Sequence, residues 1–393
     1  MKLLKFILTG LMTTIIMAGA SLCVKAEESF TYEVLSDDTI SVKCSDETIT
    51  NANIPKEIDG HTVTMLADNC FDGCTLLESV TIPDTVDRLG MYVFQGCSSL
   101  QSVNIPVSVK EIKDFCFEGC IKLQEITVDE ENTAYCSKDG VLFNKAGDNL
   151  IRYPQNKEAE NYQIPDTCLI ISPWAFTDTQ YLRELKMSSV EKIGADAFMG
   201  CIRLREVQLS DNIQELIGAS FAKCPLLMRV QLPLQLRKIG DRCFFDCARL
   251  HTMELPNNLQ NIGDMAFYGC VKLTNINIPP SVRTIGEYGV GFTVAETGDS
   301  TVIPDVVLNV NFGSVGYHYA RENGIGFHAK VSANLIMLVA VVLLMVILLV
   351  VGIVMTVKQN RLAKVAEQEQ KEEEERLKRV AELQERRKQR KNQ

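Results

Sequence analysis

The chain has 393 residues, 46% apolar and 23% charged, a balance that excludes a wholly disordered or collagen-like protein. Its formal net charge of −10 is unevenly spread: residues 27–330 carry 25 Lys/Arg against 42 Asp/Glu, and residues 358–393 carry 12 against 8. A middle that acidic repels phosphate backbones, so nucleic acid is not expected as its partner.

Residues 1–26 read as a secretory signal peptide. Lys2 and Lys5 precede an apolar run from Phe6 to Leu22, and Val24 and Ala26 stand at −3 and −1 of a cut after Ala26. An uncleaved anchor is the second reading. A lipid-bearing Cys23 is the third, although Leu22 stands where such a site wants a small residue. Residues 27–50 alternate at Tyr32-x-Val34 and Ile40-x-Val42 around Asp37-Asp38, which predicts a β-hairpin capping whatever follows.

An internal repeat of about 23 residues then fills residues 51–330. Cys74, Cys97, Cys120, Cys201, Cys224, Cys247 and Cys270 recur in a Gly-Cys slot or a variant of it. Phe71, Phe94, Phe117, Phe198, Phe221, Phe244 and Phe267 keep step three residues earlier, and Phe176 adds a rung with Thr179 in the Cys slot. Each slot is followed by Leu-x-x-apolar-x-apolar, usually closed by Pro, as in Leu77-x-x-Val80-x-Ile82-Pro83. A second short unit such as Val86-x-x-Leu89-Gly90 completes the repeat. Val80 and Ile82 predict a short strand with one face inward, and proline ends it because it cannot donate to a ladder. One such unit cannot enclose its own apolar residues, so the expected fold is a β-rich solenoid of about nine stacked repeats. Two departures predict local distortion: Ile217 takes a Gly position, with Gly218 one place late, and the repeat before Phe176 is irregular.

Residues 129–163 interrupt the period. Val141–Phe143 and Leu150–Tyr153 flank Gly147-Asp148-Asn149, which predicts a protruding inserted hairpin. Residues 291–330 close the array, with a short helix expected over Tyr317–Asn323 before Gly324. No charge occurs between Lys330 and Lys358, and Leu335–Val357 is almost wholly Leu, Val, Ile and Met. Residues 331–357 therefore read as a transmembrane helix, with Lys358, Arg361 and Lys364 placing residues 358–393 in the cytoplasm. That tail lacks Gly and Pro and carries i,i+4 acid-to-base pairs such as Glu367/Lys371 and Glu375/Arg379, which predicts a solvated helix. The two membrane signals agree on one single-pass type I topology at the cell membrane, with residues 27–330 extracellular.

The repeats resemble the BspA-type, or Treponema-type, leucine-rich repeat family over about residues 50–330. Ala52–Cys74 looks like that family's first repeat, Tyr135–Pro154 like its inserted hairpin and Gly313–Phe327 like its closing segment. The resemblance implies a secreted or surface-held, protein-binding solenoid, and some members are adhesins on host proteins.

Nothing in the sequence supports catalysis. His61, His251, His318 and His328 are scattered, and H-E-x-x-H, G-x-S-x-G, P-loop and dinucleotide fingerprints are absent. No metal or cofactor is expected, and the chain reads as non-catalytic. Thirteen cysteines follow residue 26, and their recurrence argues for free buried thiols filling a packing slot. Stacked rungs would nevertheless bring some within disulfide range, so pairing stays open. The candidate partner face is the outward side of the first strand, centred on Glu184, Lys186, Glu206, Gln208, Arg229 and Gln231; the 129–163 hairpin is the alternative surface. The expected function is extracellular protein–protein contact or adhesion with host or other cell-surface proteins. A receptor acting through its tail and a structural envelope component are the rivals.

Overall fold

A three-residue strand with one inward side chain is not stable alone; it needs a copy of itself on either side. The 23-residue period supplies those copies. The computed structural model describes residues 24–26 and 29–391. The chain divides into two units, residues 1–329 and 330–393.

The first unit is a β-solenoid with two columns of short parallel strands. In the first column, Asn51–Asn53 pairs with Ser79–Thr81, Ser102–Ile105 with Glu125–Val128, and Asn161–Gln163 with Glu184–Lys186, Glu206–Gln208 and Arg229–Gln231 in turn. The second column runs from His61–Leu66 through Arg88–Leu89 to Glu111–Ile112, resumes at Asn149–Arg152, and continues through Ile170–Ile171 to Lys192–Ile193. A further ladder joins Glu215–Leu216, Lys238–Ile239, Asn261–Ile262 and Thr284–Ile285.

The repeated phenylalanines form the axis of the core. Phe71, Phe94 and Phe117 stack at 5.5 and 5.7 Å between centroids, and Phe176, Phe198, Phe221, Phe244 and Phe267 continue at 4.8 to 5.5 Å. All eight are buried. Each such burial contributes roughly 1.5–3 kcal/mol. The turn carrying each Phe ends in a residue with positive φ: Gly73, Gly96, Gly119, Gly200 and Gly269, but Asp178, Lys223 and Asp246 in three rungs. Glycine favours that slot because it has no Cβ to clash there.

At the start, Val24–Ala26, Phe30–Val34 and Ile40–Cys44 form an antiparallel meander, and Ile40–Cys44 joins His61–Leu66 in parallel. Phe30 lies edge-on to Phe71 at 6.3 Å and closes the ring stack. The signal-peptide reading concerns residues 1–26, of which 1–23 lie outside the described residues. At the far end, Phe292–Val294 and Ser300–Val302 make a hairpin, and Val307–Asn311 pairs in parallel with Asn275–Asn277. Helix α1, Val315–Glu322, begins two residues before the expected Tyr317 because the Ser314 side chain caps it, accepting from Tyr317 N–H at 3.3 Å.

The inserted hairpin does not protrude. Tyr135–Lys138 and Val141–Asn144 pair antiparallel, and Asn149–Arg152 leaves the hairpin to pair in parallel with Ile170–Ile171. Val141, Leu142, Phe143 and Leu150 are buried, and Tyr153 stacks on Phe176 at 4.8 Å in the place of a repeat phenylalanine. The segment therefore adds a turn to those counted from the sequence, while residues 129–131, 138 and 139 stay exposed. The described core also falls into two clusters that meet there, one ending at Ile126 and Leu142, the other starting at Val141 and Phe143.

The second unit is helix α2, Ala333–Lys391. It starts at Ala333 rather than residue 331 because the Ser332 hydroxyl accepts from Leu335 N–H at 3.2 Å. Its apolar residues from Ile336 to Val357 are exposed on all sides, and it is long and apolar enough to cross a membrane. Of the i,i+4 pairs read from the tail, Glu367–Lys371 and Glu375–Arg379 close at 2.9 and 3.5 Å.

Candidate protein-binding face and the buried thiol column

The first strand column alternates outward, inward, outward. Leu185, Val207 and Val230 point in and are buried, leaving Glu184/Lys186, Glu206/Gln208 and Arg229/Gln231 exposed. Register places Glu184, Glu206 and Arg229 in one line and Lys186, Gln208 and Gln231 in another. The fold thus brings all six candidate residues onto three adjacent strands. Glu184 and Glu206 are cross-strand neighbours of like charge, an arrangement that disfavours the bare sheet and favours a cation over it.

Residues beside this face had no signal in the alternation. Arg203 lies 5.3 Å from the Tyr181 ring centroid, and Arg183 pairs with Glu160 at 3.0 Å. Arg205 N–H donates to the Arg183 carbonyl, so the two arginines occupy equivalent places on neighbouring rungs. Arg and Tyr are the side chains that most often anchor protein interfaces. A second aromatic row runs along the turns: Tyr92 stacks on Phe115 at 4.8 Å, Phe115 meets Trp174 at 4.1 Å, and Phe245 stacks on Tyr268 at 5.4 Å. Tyr92, Phe115 and Trp174 share one backbone position, each with φ between 56° and 61°. Repeat spacing alone does not say that this position faces its neighbours.

The repeated cysteines form a hydrogen-bonded column. The thiols of Cys97, Cys120, Cys201, Cys224, Cys247 and Cys270 each donate to the carbonyl of the phenylalanine in the preceding rung, at 3.1–3.3 Å. A buried carbonyl beside the ring stack thereby gains a partner. Thr179, in the Cys slot of its rung, donates to Cys201 Sγ at 3.2 Å. The slot thus asks for a small side chain with one donor, which alanine cannot supply. All thirteen described cysteines are free thiols. Among the described residues no three His, Cys, Asp or Glu side chains group to hold a metal ion.

The repeats match a model of the BspA type leucine rich repeat region in six copies, over residues 44–139, 153–216 and 170–290. The chain belongs to the BspA type leucine rich repeat family. Its fold is also similar to that of the pneumococcal vaccine antigen PcpA, at 16% identity and a TM-score of 0.52, over 80% of this chain and 100% of that one. A leucine rich cell surface protein from Faecalibacterium prausnitzii matches at 23% identity and a TM-score of 0.41, over 66% of this chain and 95% of that one. None of the curated proteins compared with the chain matches it.

In this BspA-type array the thiols divide into two chemical groups. Burial pushes the column thiols up; Cys120, for example, rises to about 12. Cys44, half-buried in the N-terminal cap, is lowered to about 7, chiefly by a hydrogen bond with the Cys74 thiol and then by the Asp46 backbone. Its thiolate therefore accumulates as pH rises through 7, while column thiols stay protonated. Iodoacetamide applied to the native protein is expected to label Cys44 first, at a rate that climbs between pH 6 and 8. Peptide mass spectrometry showing Cys97 or Cys224 labelled as fast as Cys44 would contradict this.

Proposed function

We propose that the solenoid is a non-catalytic protein-binding module held at the cell surface by the apolar part of α2, with residues 27–330 outside and 358–393 in the cytoplasm. The observation that carries this reading is the six-residue face: Glu184, Lys186, Glu206, Gln208, Arg229 and Gln231 project, exposed, from three in-register strands. A rigid parallel ladder fixes their spacing, so a partner meets a preorganised surface and little ordering entropy is lost on binding. Arg183, Arg205 and the Tyr181–Arg203 pair extend the face with residues suited to anchoring. The apolar stretch of α2, exposed on every side, supports membrane anchoring, and the basic residues after it support the orientation. Family membership supports protein–protein contact; adhesion to host or neighbouring cells is the specific form proposed.

The test uses the full chain in lipid nanodiscs alongside a face variant carrying Glu184→Lys, Glu206→Lys and Arg229→Glu. Binding of purified host and neighbouring-cell surface proteins is read by biolayer interferometry. The expected result is a saturable signal that weakens at least tenfold in the variant, with unchanged circular dichroism. Equal binding by both proteins would remove the face from the account. Protease added to intact cells is expected to cut the solenoid and spare an epitope at the C-terminus; a protected solenoid would overturn the topology.

A further inference from the structure

The thiol column differs at its first member. In each full rung the phenylalanine N–H donates to the carbonyl just before the next phenylalanine: Phe71 to Val93, Phe94 to Cys116, Phe176 to Ala197 and Phe221 to Cys243. Cys44 N–H makes the same bond to the Cys70 carbonyl, at 3.0 Å. Cys44 therefore holds the phenylalanine position of a rung that the N-terminal cap supplies. Its cross-strand partner, Phe30, provides the ring, edge-on to Phe71. The column thiols reach back to the residue at that position: Cys97 to Phe71, Cys120 to Phe94, Cys224 to Phe198. By the same geometry Cys74, the first thiol of the column, reaches back to Cys44, and there it hydrogen-bonds the Cys44 sulfur. Two thiols thus meet across the joint between the cap and the first repeat. Backbone bonds hold both: Cys44 N–H to Cys70, and Cys74 N–H to the Phe71 carbonyl at 3.0 Å.

What sets this pair apart is access. Cys201, Cys224 and Cys247 also neighbour one another, but all three are fully buried, and burial holds their thiols protonated. A buried thiol in apolar surroundings is inert. Cys44 is half-buried, and the Cys74 S–H that faces it favours its thiolate. Cys74 itself is only 2% exposed, so it sees the Cys44 sulfur but scarcely any solvent. One thiol is open to attack on an outside reagent and its neighbour is sheltered, which is the arrangement of a nucleophilic and a resolving cysteine.

We propose that Cys44 and Cys74 are a redox-active pair, oxidised to a disulfide that locks the N-terminal cap onto the first repeat. The oxidant is a low-molecular-weight disulfide such as oxidised glutathione. The Cys44 thiolate attacks one of its sulfurs, a mixed disulfide forms, and one small thiolate leaves. Cys74, no longer facing a thiolate, gives up its proton and attacks the Cys44 sulfur; the second small thiolate leaves and takes up that proton. Two protein thiols are oxidised, and one small disulfide is reduced to two small thiols. The structure shows the reduced form. The new bond closes a loop over residues 44–74 at one end of the array. A terminal unit has one stacking interface instead of two, so the ends of a solenoid open first. The oxidised chain therefore opens less readily from its cap.

Full-length protein in detergent is reduced, freed of reductant, and either exposed to oxidised glutathione at neutral pH or kept reduced. Trypsin cuts after Lys56 and an aspartate-directed protease cuts before Asp72, so Cys44, Cys70 and Cys74 fall on separate peptides. Expected is a linked Cys44–Cys74 peptide, with melting roughly 5–10 °C above that of the reduced protein. Cys74→Ser removes the resolving thiol and is expected to accumulate a glutathione adduct on Cys44. Cys44→Ser is expected to take up no glutathione at Cys74 and to lose the melting shift. Comparison of the oxidised and reduced parent needs no variant, so poor folding of either one does not stop the test. The proposal fails if Cys44 links to Cys70 instead, if the parent keeps a stable glutathione adduct on Cys44, if Cys44 stays unmodified, or if the linked protein melts with the reduced one.

Discussion

Truncating Phe244 to alanine is expected to cost about 3–5 kcal/mol. The ring is buried between Phe221 at 5.5 Å and Phe267 at 5.3 Å, with interplanar angles of 6° and 11°. Its backbone is tied on both sides. Phe244 N–H donates to the Ala266 carbonyl, and its own carbonyl accepts from the Cys270 thiol at 3.1 Å. Those bonds hold the rungs at ladder spacing, so neighbouring rings cannot close over the gap, and a cavity cost adds to the lost transfer energy. In a stacked array, stability is shared between a unit and its two interfaces, so the loss spreads to adjacent rungs. Thermal unfolding of full-length protein in detergent should drop on the order of 5–15 °C. Hydrogen exchange should quicken first at Ala222–Cys224 and Ala266–Cys270. A variant melting within a degree of the parent would mean that the ring stack does not hold the solenoid together.

Much of this architecture can be read from letters because a repeat samples one environment many times. Phe71 to Phe267 and Cys74 to Cys270 differ from noise by recurring in register, and inward Leu185, Val207 and Val230 follow from alternation alone. The failures have two physical causes. Arg152-Tyr153 occupies a rung by shape, with Tyr153 as a ring in the stack, but neither residue matches the repeated letter, so the segment reads as an excursion. Where a rung is filled by an unmatched residue, the seam it creates is invisible too. The aromatic row of Tyr92, Phe115 and Trp174 escapes for a different reason. It sits on a backbone position with positive φ, so its direction depends on turn geometry rather than on strand period. The six face residues were legible as outward, whereas the arginines and Tyr181 beside them needed the rungs to be set side by side.

Gly263→Ala is expected to be as damaging as the loss of a core ring, although it adds one methyl group and removes nothing. A Cβ on Gly263 would lie 2.5 Å from Asp241 N and 2.7 Å from the Gly240 carbonyl carbon, and it would also strike the Asp241 carboxylate. Backbone atoms cannot step aside as a flexible side chain can, so rung must part from rung. Parting breaks Gly263 N–H to the Ile239 carbonyl at 2.9 Å, Asn261 N–H to Arg237 at 3.1 Å, and Asp264 N–H to Asp241 Oδ1 at 3.0 Å. At about 0.5–1.5 kcal/mol for each of the three bonds, and about 1–3 kcal/mol for the overpacking, the sum is about 2.5–7.5 kcal/mol. The chain already contains the outcome in one place. Ile217 stands where Gly240 and Gly263 stand in their rungs, and there the ladder between Lys192–Ile193 and Glu215–Leu216 is missing. A cleft of about 680 Å³ opens instead, lined by Glu191, Lys192, Glu215 and Ile217 among others. The distortion foreseen from the displaced Gly218 is thus a wedge confined to the second strand column, because the first column stays paired through Glu184–Lys186 and Glu206–Gln208. The reverse substitution, Ile217→Gly, removes the wedge and should restore bonds from Glu215 and Ile217 N–H to the preceding rung. Hydrogen exchange at those two amides should slow at least tenfold in Ile217→Gly and quicken at Asn261 and Gly263 in Gly263→Ala. If Gly263→Ala unfolds within 1 kcal/mol of the parent while Ile217→Gly leaves both amides unprotected, close contact at the glycine is not what keeps these rungs joined.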